Sequence, residues 1–468
     1  MSQYDLLING KLTTADEYDA VINPATGETV GHAARASAAQ VDLAVTSAKK
    51  AFPDWASDAA LRSATLQRAA DAVQAQSEEL ARLITLEQGR PLRDTRGEVA
   101  GAIGILRHYA NFELPPFVPF KSDDSGLVVV ERKPLGVVAA ITPWNVPIIL
   151  LLLKIIPALK AGNTVVAKPS EYTPLSTLLL GRLFAGIFPA GVLNILAGAG
   201  QVGSLLAKHS QVNKITFTGS VATGKSIYGQ ASLDLKRITL ELGGNDPAIV
   251  LADADVEKIV EPLFWGAFWN TGQICFAIKR VYAHKSIAKR LAEALAKRAA
   301  ATKVGNGLDE GVELGPLNNQ AQLLKIEQLV KNAKIQGATI LQGGSRIDGP
   351  GYFYPPTIVT DISHSSALVQ EEQFGPVLPI VEFEDEAEAI QLANDSQFGL
   401  GGSVWSGDYE RGLALARQLD VGLAWVNQHG DIHPAAPKGG FKESGLGYEG
   451  GAKGFEEFYQ LQVINAKK

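Results

Sequence analysis

From Gly136 onward the chain alternates short β-rich runs with helical ones, and no other feature restricts its fold as strongly. The β-rich run 136–141 precedes a helical run over 148–160, Thr164–Lys168 precedes 174–187, and 192–196 precedes 201–209 before Lys214–Thr218. Successive β-α-β units close through right-handed crossovers onto a parallel sheet, and ligands of such sheets lie beyond the carboxyl ends of the strands. The pattern resumes after 248–251 and predicts a second α/β domain of roughly 200 residues. A chain of 468 residues exceeds what one core supports, so two parallel-sheet domains are expected.

Upstream, Asn23 to Glu28 reads as a turn between short strands, and Ser37 to Gln40 as a capping box opening a helix whose apolar positions run from Val41 to Trp55. A second long helix is expected over 63–88, ending at Gly89 with Pro91 beyond it. Two segments stand outside the alternation. Residues 116–135 read as an extended hairpin arm and 458–463 as a terminal strand. Exposed apolar strands need a partner, which is either a second copy of the chain or the chain folded back on itself.

Composition excludes several classes. A formal net charge of −6 without any Lys/Arg block argues against a nucleic-acid partner. The most membrane-like stretch, 136–161, is broken by Pro143 and Pro147 and carries Lys154, so no membrane span is expected. A single cysteine rules out a disulfide framework and fits a reducing, cytoplasmic setting, and the first residues lack the basic-then-apolar pattern of a signal peptide. No metal site is expected. Small molecules and a second copy of the chain remain as partners.

That cysteine, Cys275, is either an inert core residue or a nucleophile. Thr271, Gly272 and Gln273 interrupt the apolar pattern before it, as a sharp turn presenting the sulfur beside backbone amides requires. Glu241 stands at the end of a strand, ahead of Leu242, Gly243 and Gly244, where glycines let a ligand approach. Asn145, between Pro143 and Pro147, follows another strand end; its amide suits an oxyanion, and turns favour asparagine too. Two glycine loops compete for a nucleotide. Gly198 to Gly203, including Gly200, matches the dinucleotide fingerprint but lacks the acidic residue about 20 positions on. Phe217 to Gly224 offers a helix N-terminus and the Ser220 hydroxyl to a pyrophosphate. Lys168 and Glu171 end a neighbouring strand, as a cation and a carboxylate for ribose hydroxyls or as a capped helix start.

Taken in order, Pro143-Trp144-Asn145, Lys168-Pro169-Ser170-Glu171, Phe217-Thr218-Gly219-Ser220, Glu241-Leu242-Gly243-Gly244, Gly272-Gln273-Ile274-Cys275 and Glu371-Glu372-Gln373-Phe374-Gly375-Pro376 resemble the signature of the aldehyde dehydrogenase superfamily. The resemblance runs from Asn23 to Glu449. It implies a Rossmann-like cofactor domain (1–115 and 136–243), a catalytic domain (244–440) and an oligomerisation arm with C-terminal tail (116–135 and 441–468). It also implies that Cys275 attacks the aldehyde, that Asn145 and the Cys275 N–H hold the oxyanion, and that Glu241 activates the water that releases a carboxylic acid. Lys154 and Glu449 match positions that support proton relay. Trp144, Lys168, Glu171, Gly219, Ser220 and Gly224 match contacts to adenosine and pyrophosphate, with Gly200 near the adenine and Leu242 beside the cofactor. Glu372 and Phe374 match the partners of the nicotinamide half. Glu171 favours NAD over NADP, since its charge would oppose a 2′-phosphate. NADP stays possible.

Two positions depart from the family pattern. Lys438 stands where an aromatic lines the substrate tunnel, and Tyr448 where an arginine precedes the glutamate. Lys438 either favours an aldehyde with a carboxylate tail, making the enzyme a semialdehyde dehydrogenase, or extends to solvent. Val146, Ile149, Leu153 and Phe276 supply the rest of the tunnel wall. A CoA-acylating enzyme is disfavoured by Glu241, which is a hydrolytic base. A silent scaffold is disfavoured by retention of the thiol, Asn145 and the nicotinamide residues. Self-association as a dimer or tetramer is expected.

Overall fold

The computed structural model describes residues 2–468. Two sheets organise it, each flanked by helices. The first has eight strands in the order Gly445–Leu446, Arg237–Glu241, Lys214–Thr218, Val137–Ile141, Thr164–Lys168, Leu193–Ile195, Leu6–Ile8, Lys11–Thr13. The five between Arg237 and Ile195 are mutually parallel, and antiparallel strands close both edges. Every residue of Val137–Ile141, Thr164–Lys168 and Lys214–Thr218 is buried, as expected for strands covered on both faces. From Val137 the chain builds outward to Ile195, then returns to place Lys214–Thr218 on the opposite side. The strand order therefore reverses between Ile141 and Thr218, where a crevice opens beyond the carboxyl ends.

The second sheet has seven strands, Thr339–Gln342, Thr357–Thr360, Val377–Phe383, Ile278–His284, Asp246–Val250, Gly401–Trp405 and Leu423–Val426, parallel except for the first. Separate apolar cores cover its two faces. Glu241 ends a strand of the first sheet, and Asp246 begins one of the second. The carboxyl edge of one sheet thus faces the amino edge of the other, with the site between.

Buried carboxylates fix two of the helices. Glu98 Oε1 accepts the N–H groups of Ile148 and Ile149 at the start of Pro147–Lys160. Glu87 accepts those of Leu175 and Ser176 at the start of Leu175–Phe184. Each satisfies amides that the first helical turn leaves free and complements the helix dipole.

The capping box at Ser37 forms, with Gln40 closing it. The helix expected over 63–88 is instead two, Ala59–Ala75 and Ser77–Gln88, separated at Gln76. Both starts had local signals: Asp58 caps Leu61 N–H, and Glu78 and Glu79 place charge in the first turn of the next helix.

The arm is a three-stranded antiparallel sheet of Lys121–Asp123, Gly126–Pro134 and Tyr459–Lys467. Tyr459–Lys467 pairs with Gly126–Pro134 along its full length, so the terminal strand folds back on its own chain. The tail expected to accompany the arm from 441 divides before that. Gly445–Leu446 pairs with Arg237–Glu241, and Phe455 and Phe458 enter the first core, because the Ser444–Glu449 turn must reach the site. Among the described residues, no helix is long and apolar enough to cross a membrane.

Candidate active site

Cys275 lies between a short 3₁₀ turn, Trp269–Gly272, and the strand Ile278–His284. Asn270, Thr271 and Gly272 are all left-handed, with φ of 52°, 57° and 71°. Such a run is costly for the two non-glycine residues and persists only where surroundings hold it. They do: Gln88 Nε2 donates to Asn270 Oδ1 (3.1 Å), Asn270 Nδ2 to Asn145 O (3.0 Å), and Thr271 Oγ1 to Gly315 O (2.9 Å). A Cβ at Gly272 would stand 2.4 Å from Gly375 O, so no other residue fits there without movement. The sharp turn read from the sequence is present, and Cys275 as a whole is half-buried.

The structure brings Asn145 to the same turn. Its Nδ2 donates to Gln273 O at 2.8 Å, and the second N–H of the amide remains for a ligand. Pro143, Trp144, Asn145, Gly219, Cys275 and Glu372 line one cleft, which also includes Ser220, Leu242 and Phe374. It opens at the strand-order reversal. Trp144 and Phe374 meet edge to face, with centroids 5.4 Å apart. Burial pushes the Cys275 thiol up to about 12; Lys279 and Lys438 oppose this, while Glu241 and Glu372 add to it.

Glu241 is buried at its strand end, and its Oε1 has no hydrogen-bond partner. Burial raises its pKa, the Glu449 charge raises it further, and Lys438 and Lys154 pull it down. Glu449 lies well below the ordinary carboxylate range despite burial, because Lys154 and Lys438 both face it. Lys154 sits within the helix Pro147–Lys160, whose surroundings are apolar, and bonds Glu449 Oε1. Lys438 Nζ stands 3.2 Å from Oε2. The solvent-directed course considered for Lys438 is therefore not taken: the ammonium turns inward to a carboxylate.

For the cofactor half, Gly219 and Ser220 open the helix Val221–Ala231, and Ser220 Oγ accepts Thr223 N–H. A Cβ at Gly224 would lie 2.5 Å from Leu242, and one at Gly243 would lie 2.5 Å from Glu372 Oε2. These close approaches explain why glycine is used and show that the cleft is shaped on both sides. Lys168 is buried with its Nζ on Pro169 O, and burial lowers its pKa to about 8. Glu171 and Ala199 line a second cavity of ≈ 740 Å³ on the same side of the sheet, where Gly200 starts the helix Gly200–Lys208. The two cavities, a carboxylate at one end and an unpartnered Thr218 hydroxyl near the other, suit a dinucleotide laid across the switch point.

Of the expected tunnel residues, Val146, Ile149 and Phe276 share a small apolar cluster with Ile274, Ala277 and Trp269. Leu153, half-buried, lies one turn beyond Ile149 on the same helix. Sequence reasoning missed Lys279, whose Nζ donates to the carbonyls of Ile274, Cys275 and Ala277, with Cys275 O at 2.6 Å, and lies 3.8 Å from Glu372. A lysine inside an apolar strand four residues after the thiol was the available signal. It also missed His429, which bridges Phe276 O and Ser403 Oγ.

Two α/β layers meet at this crevice, where Cys275, Asn145 and the start of the helix Val221–Ala231 come together, the arrangement of a nucleotide-dependent oxidoreductase. The family model described as the aldehyde dehydrogenase family matches residues 12–464. The chain belongs to that family, which makes it an NAD(P)-dependent enzyme oxidising an aldehyde to a carboxylic acid. It is similar to the glutarate-semialdehyde dehydrogenase of Pseudomonas putida, 40% identical over 98% of this chain and 96% of the relative. The NADP(+) succinate-semialdehyde dehydrogenase of Escherichia coli is 37% identical over the same shares, 98% and 96%. Among solved structures, the Staphylococcus aureus betaine aldehyde dehydrogenase in complex with NAD+ superposes with a TM-score of 0.96 at 35% identity, covering 99% of this chain and 94% of that one.

Proposed function

We propose that Cys275 is the nucleophile, that Asn145 and the Cys275 N–H receive the oxyanion, and that Glu241 is the base that releases free acid. The observation that carries this reading is the convergence of thiol, amide and cofactor cleft: Asn145 and Cys275 line one crevice at the strand-order reversal. The Cys275 Sγ adds to the aldehyde carbon and the negative charge moves to the carbonyl oxygen, where the amide donors hold it. The cofactor, when bound, accepts the hydride that leaves this carbon. Phe374 walls its ring side, while Trp144, Gly219, Ser220 and Gly224 border its adenosine and phosphates. Lys168, Glu171 and Gly200 form the adenosine end, and Leu242 and Glu372 border the nicotinamide half. Glu241 then takes a proton from water as that water attacks the thioester carbon. Lys154 and Glu449 stand behind Glu241 as its proton outlet.

NAD is the cofactor favoured by Glu171, with NADP as the second. A carboxylated aldehyde is the second substrate reading, supported by the semialdehyde names of the relatives. A panel of neutral, cationic and carboxylated aldehydes, run with NAD and NADP and with or without CoA, checks all of this. NADH formation that does not depend on CoA, with free acid as product, is expected. Acyl-CoA as the product would overturn the hydrolytic role of Glu241.

The arm supports self-association. Leu461 is 63% exposed and Val463 is open beside it on the same three-stranded sheet, while Phe120, 81% exposed, and Val118 are open in the segment that leads into it. Isolated exposed side chains are ordinary, but a row along sheet strands is an interface pattern. Leu461→Glu with Val463→Glu is expected to move the protein to a smaller species in analytical ultracentrifugation. An unchanged sedimentation coefficient would place the interface elsewhere. The single cysteine, kept as a thiol, supports a reducing cytoplasmic setting.

A further inference from the structure

Glu449 is held by two ammoniums at once. Lys154, with its side chain 0% exposed, bonds Oε1, and Lys438, 13% exposed, stands 3.2 Å from Oε2. Lys438 is fixed through its backbone as well, since residues 438 and 449 exchange both N–H···O bonds at 2.8 Å. Two cations thus share one anion in a place shielded from water. Unbalanced charge is costly there, so the cluster favours a second anion facing it. Two groups can supply that anion. Glu241, in register with Gly445 of the turn that leads to Glu449, has a buried oxygen without a partner, and Cys275, which lines the cleft beside Gly243 and Leu242, offers a thiol. The other nearby cation, Lys279, is held on three backbone carbonyls and acts on the thiol alongside Lys438, but it does not touch Glu449.

We propose that Lys438 is a positioning residue for both halves of the reaction: an ammonium anchored on Glu449 that favours the Cys275 thiolate before attack and the Glu241 carboxylate after it. This rests on the roles assigned above to Cys275 and Glu241. The charge moves as the chemistry proceeds. Thiolate attack forms the C–S bond and puts the charge on the carbonyl oxygen; loss of hydride to the cofactor restores C=O and leaves a neutral thioester. The excess positive charge of the cluster then has no sulfur anion facing it, which favours departure of the Glu241 proton to solvent. The carboxylate takes a proton from water while the water oxygen bonds the acyl carbon. The C–S bond breaks with its electron pair staying on sulfur, so the acid leaves and the Cys275 thiolate is regenerated.

The charges around each group are consistent with this. Cys275 is faced by Lys279, Lys438, Glu241 and Glu372, and Glu241 by Glu449, Lys438 and Lys154. Burial lowers the Lys438 pKa, but Glu449, Glu241 and Cys275 together raise it above the ordinary value, so it stays charged. Tyr109 and Lys214 complete the set within range of Glu449.

Because Cys275 is the sole cysteine, alkylation by iodoacetamide, a neutral reagent, reads its thiolate with neither aldehyde nor cofactor present. Lys438→Met is expected to slow alkylation at about pH 8 roughly tenfold, as a rise of about one pKa unit requires. The acid limb of kcat moves to higher pH by a similar amount, and Lys438→Arg returns both toward the parent. Lys438→Gln serves as the neutral variant if the methionine variant does not fold. A folded neutral variant whose alkylation rate equals that of the parent overturns the inference, even if aldehyde oxidation is intact. Slowed alkylation in a protein inactive toward every aldehyde would instead support it and leave the proposed function as the part that failed.

Discussion

Cys275→Ala abolishes aldehyde-dependent NADH formation, with kcat lower by roughly 10⁴-fold or more, the scale on which removal of a covalent nucleophile is felt. Binding of NAD+ is unchanged, because the cofactor side of the cleft is built from Trp144, Gly219, Ser220 and Glu372. The thermal midpoint moves little as well. Cys275 lines the cleft rather than the packed core, so its truncation leaves no sealed cavity. The turn that presents it is held by Gln88, Asn270 and Thr271, none of which bonds the sulfur. Stopped absorbance at the NADH band, with cofactor titration by fluorescence, separates the two effects. Activity within tenfold of the parent would remove the thiol from the reaction.

Glu241→Gln separates the two halves of the reaction. A glutamine keeps the volume at the strand end but cannot take a proton from water, so steady-state turnover falls by roughly 10²- to 10⁴-fold. The first hydride still leaves, giving a burst of about one NADH per subunit before the rate collapses. The pH profile changes too. Glu241 is raised by burial and by the Glu449 charge, so in the parent its basic form is lost on acidification well above the ordinary carboxylate range. The parent rate therefore rises with pH through that raised value. In the glutamine variant this limb is absent. A rapid-quench trace without a burst would show that Glu241 acts before hydride transfer rather than after it.

The parts of the fold that follow from local pattern were legible. Alternation fixed the strands at Thr164–Lys168 and Lys214–Thr218, whose bounds agree with the structure, and the capping box at Ser37. The break at Gln76 was not legible from helical periodicity, which continues across it, although Glu78 and Glu79 marked a new start. The terminal strand was read as needing a partner, but which partner is a matter of chain path: Tyr459–Lys467 reaches its neighbour across more than 300 residues of sequence. Cys275, Asn145 and Glu241 were legible because each follows or precedes a strand end with glycine or proline beside it. Lys279 was not, since its role is to gather carbonyls of a turn that exists only once Asn270 to Gly272 are left-handed. Lys438 was legible as an anomaly, but its partner was not. Only the antiparallel bridge between residues 438 and 449 aims its ammonium at Glu449.

In the proposed mechanism the acyl group passes through the sulfur of residue 275. The most direct measurement takes Glu241→Gln, mixes it with NAD+ and the aldehyde turned over fastest by the parent, quenches in acid and maps the peptides by mass. An acyl mass is expected on the peptide containing Cys275, in proportion to the NADH burst, present only when NAD+ is added and removed by hydroxylamine. NADH formed in the burst with that peptide unmodified would contradict it.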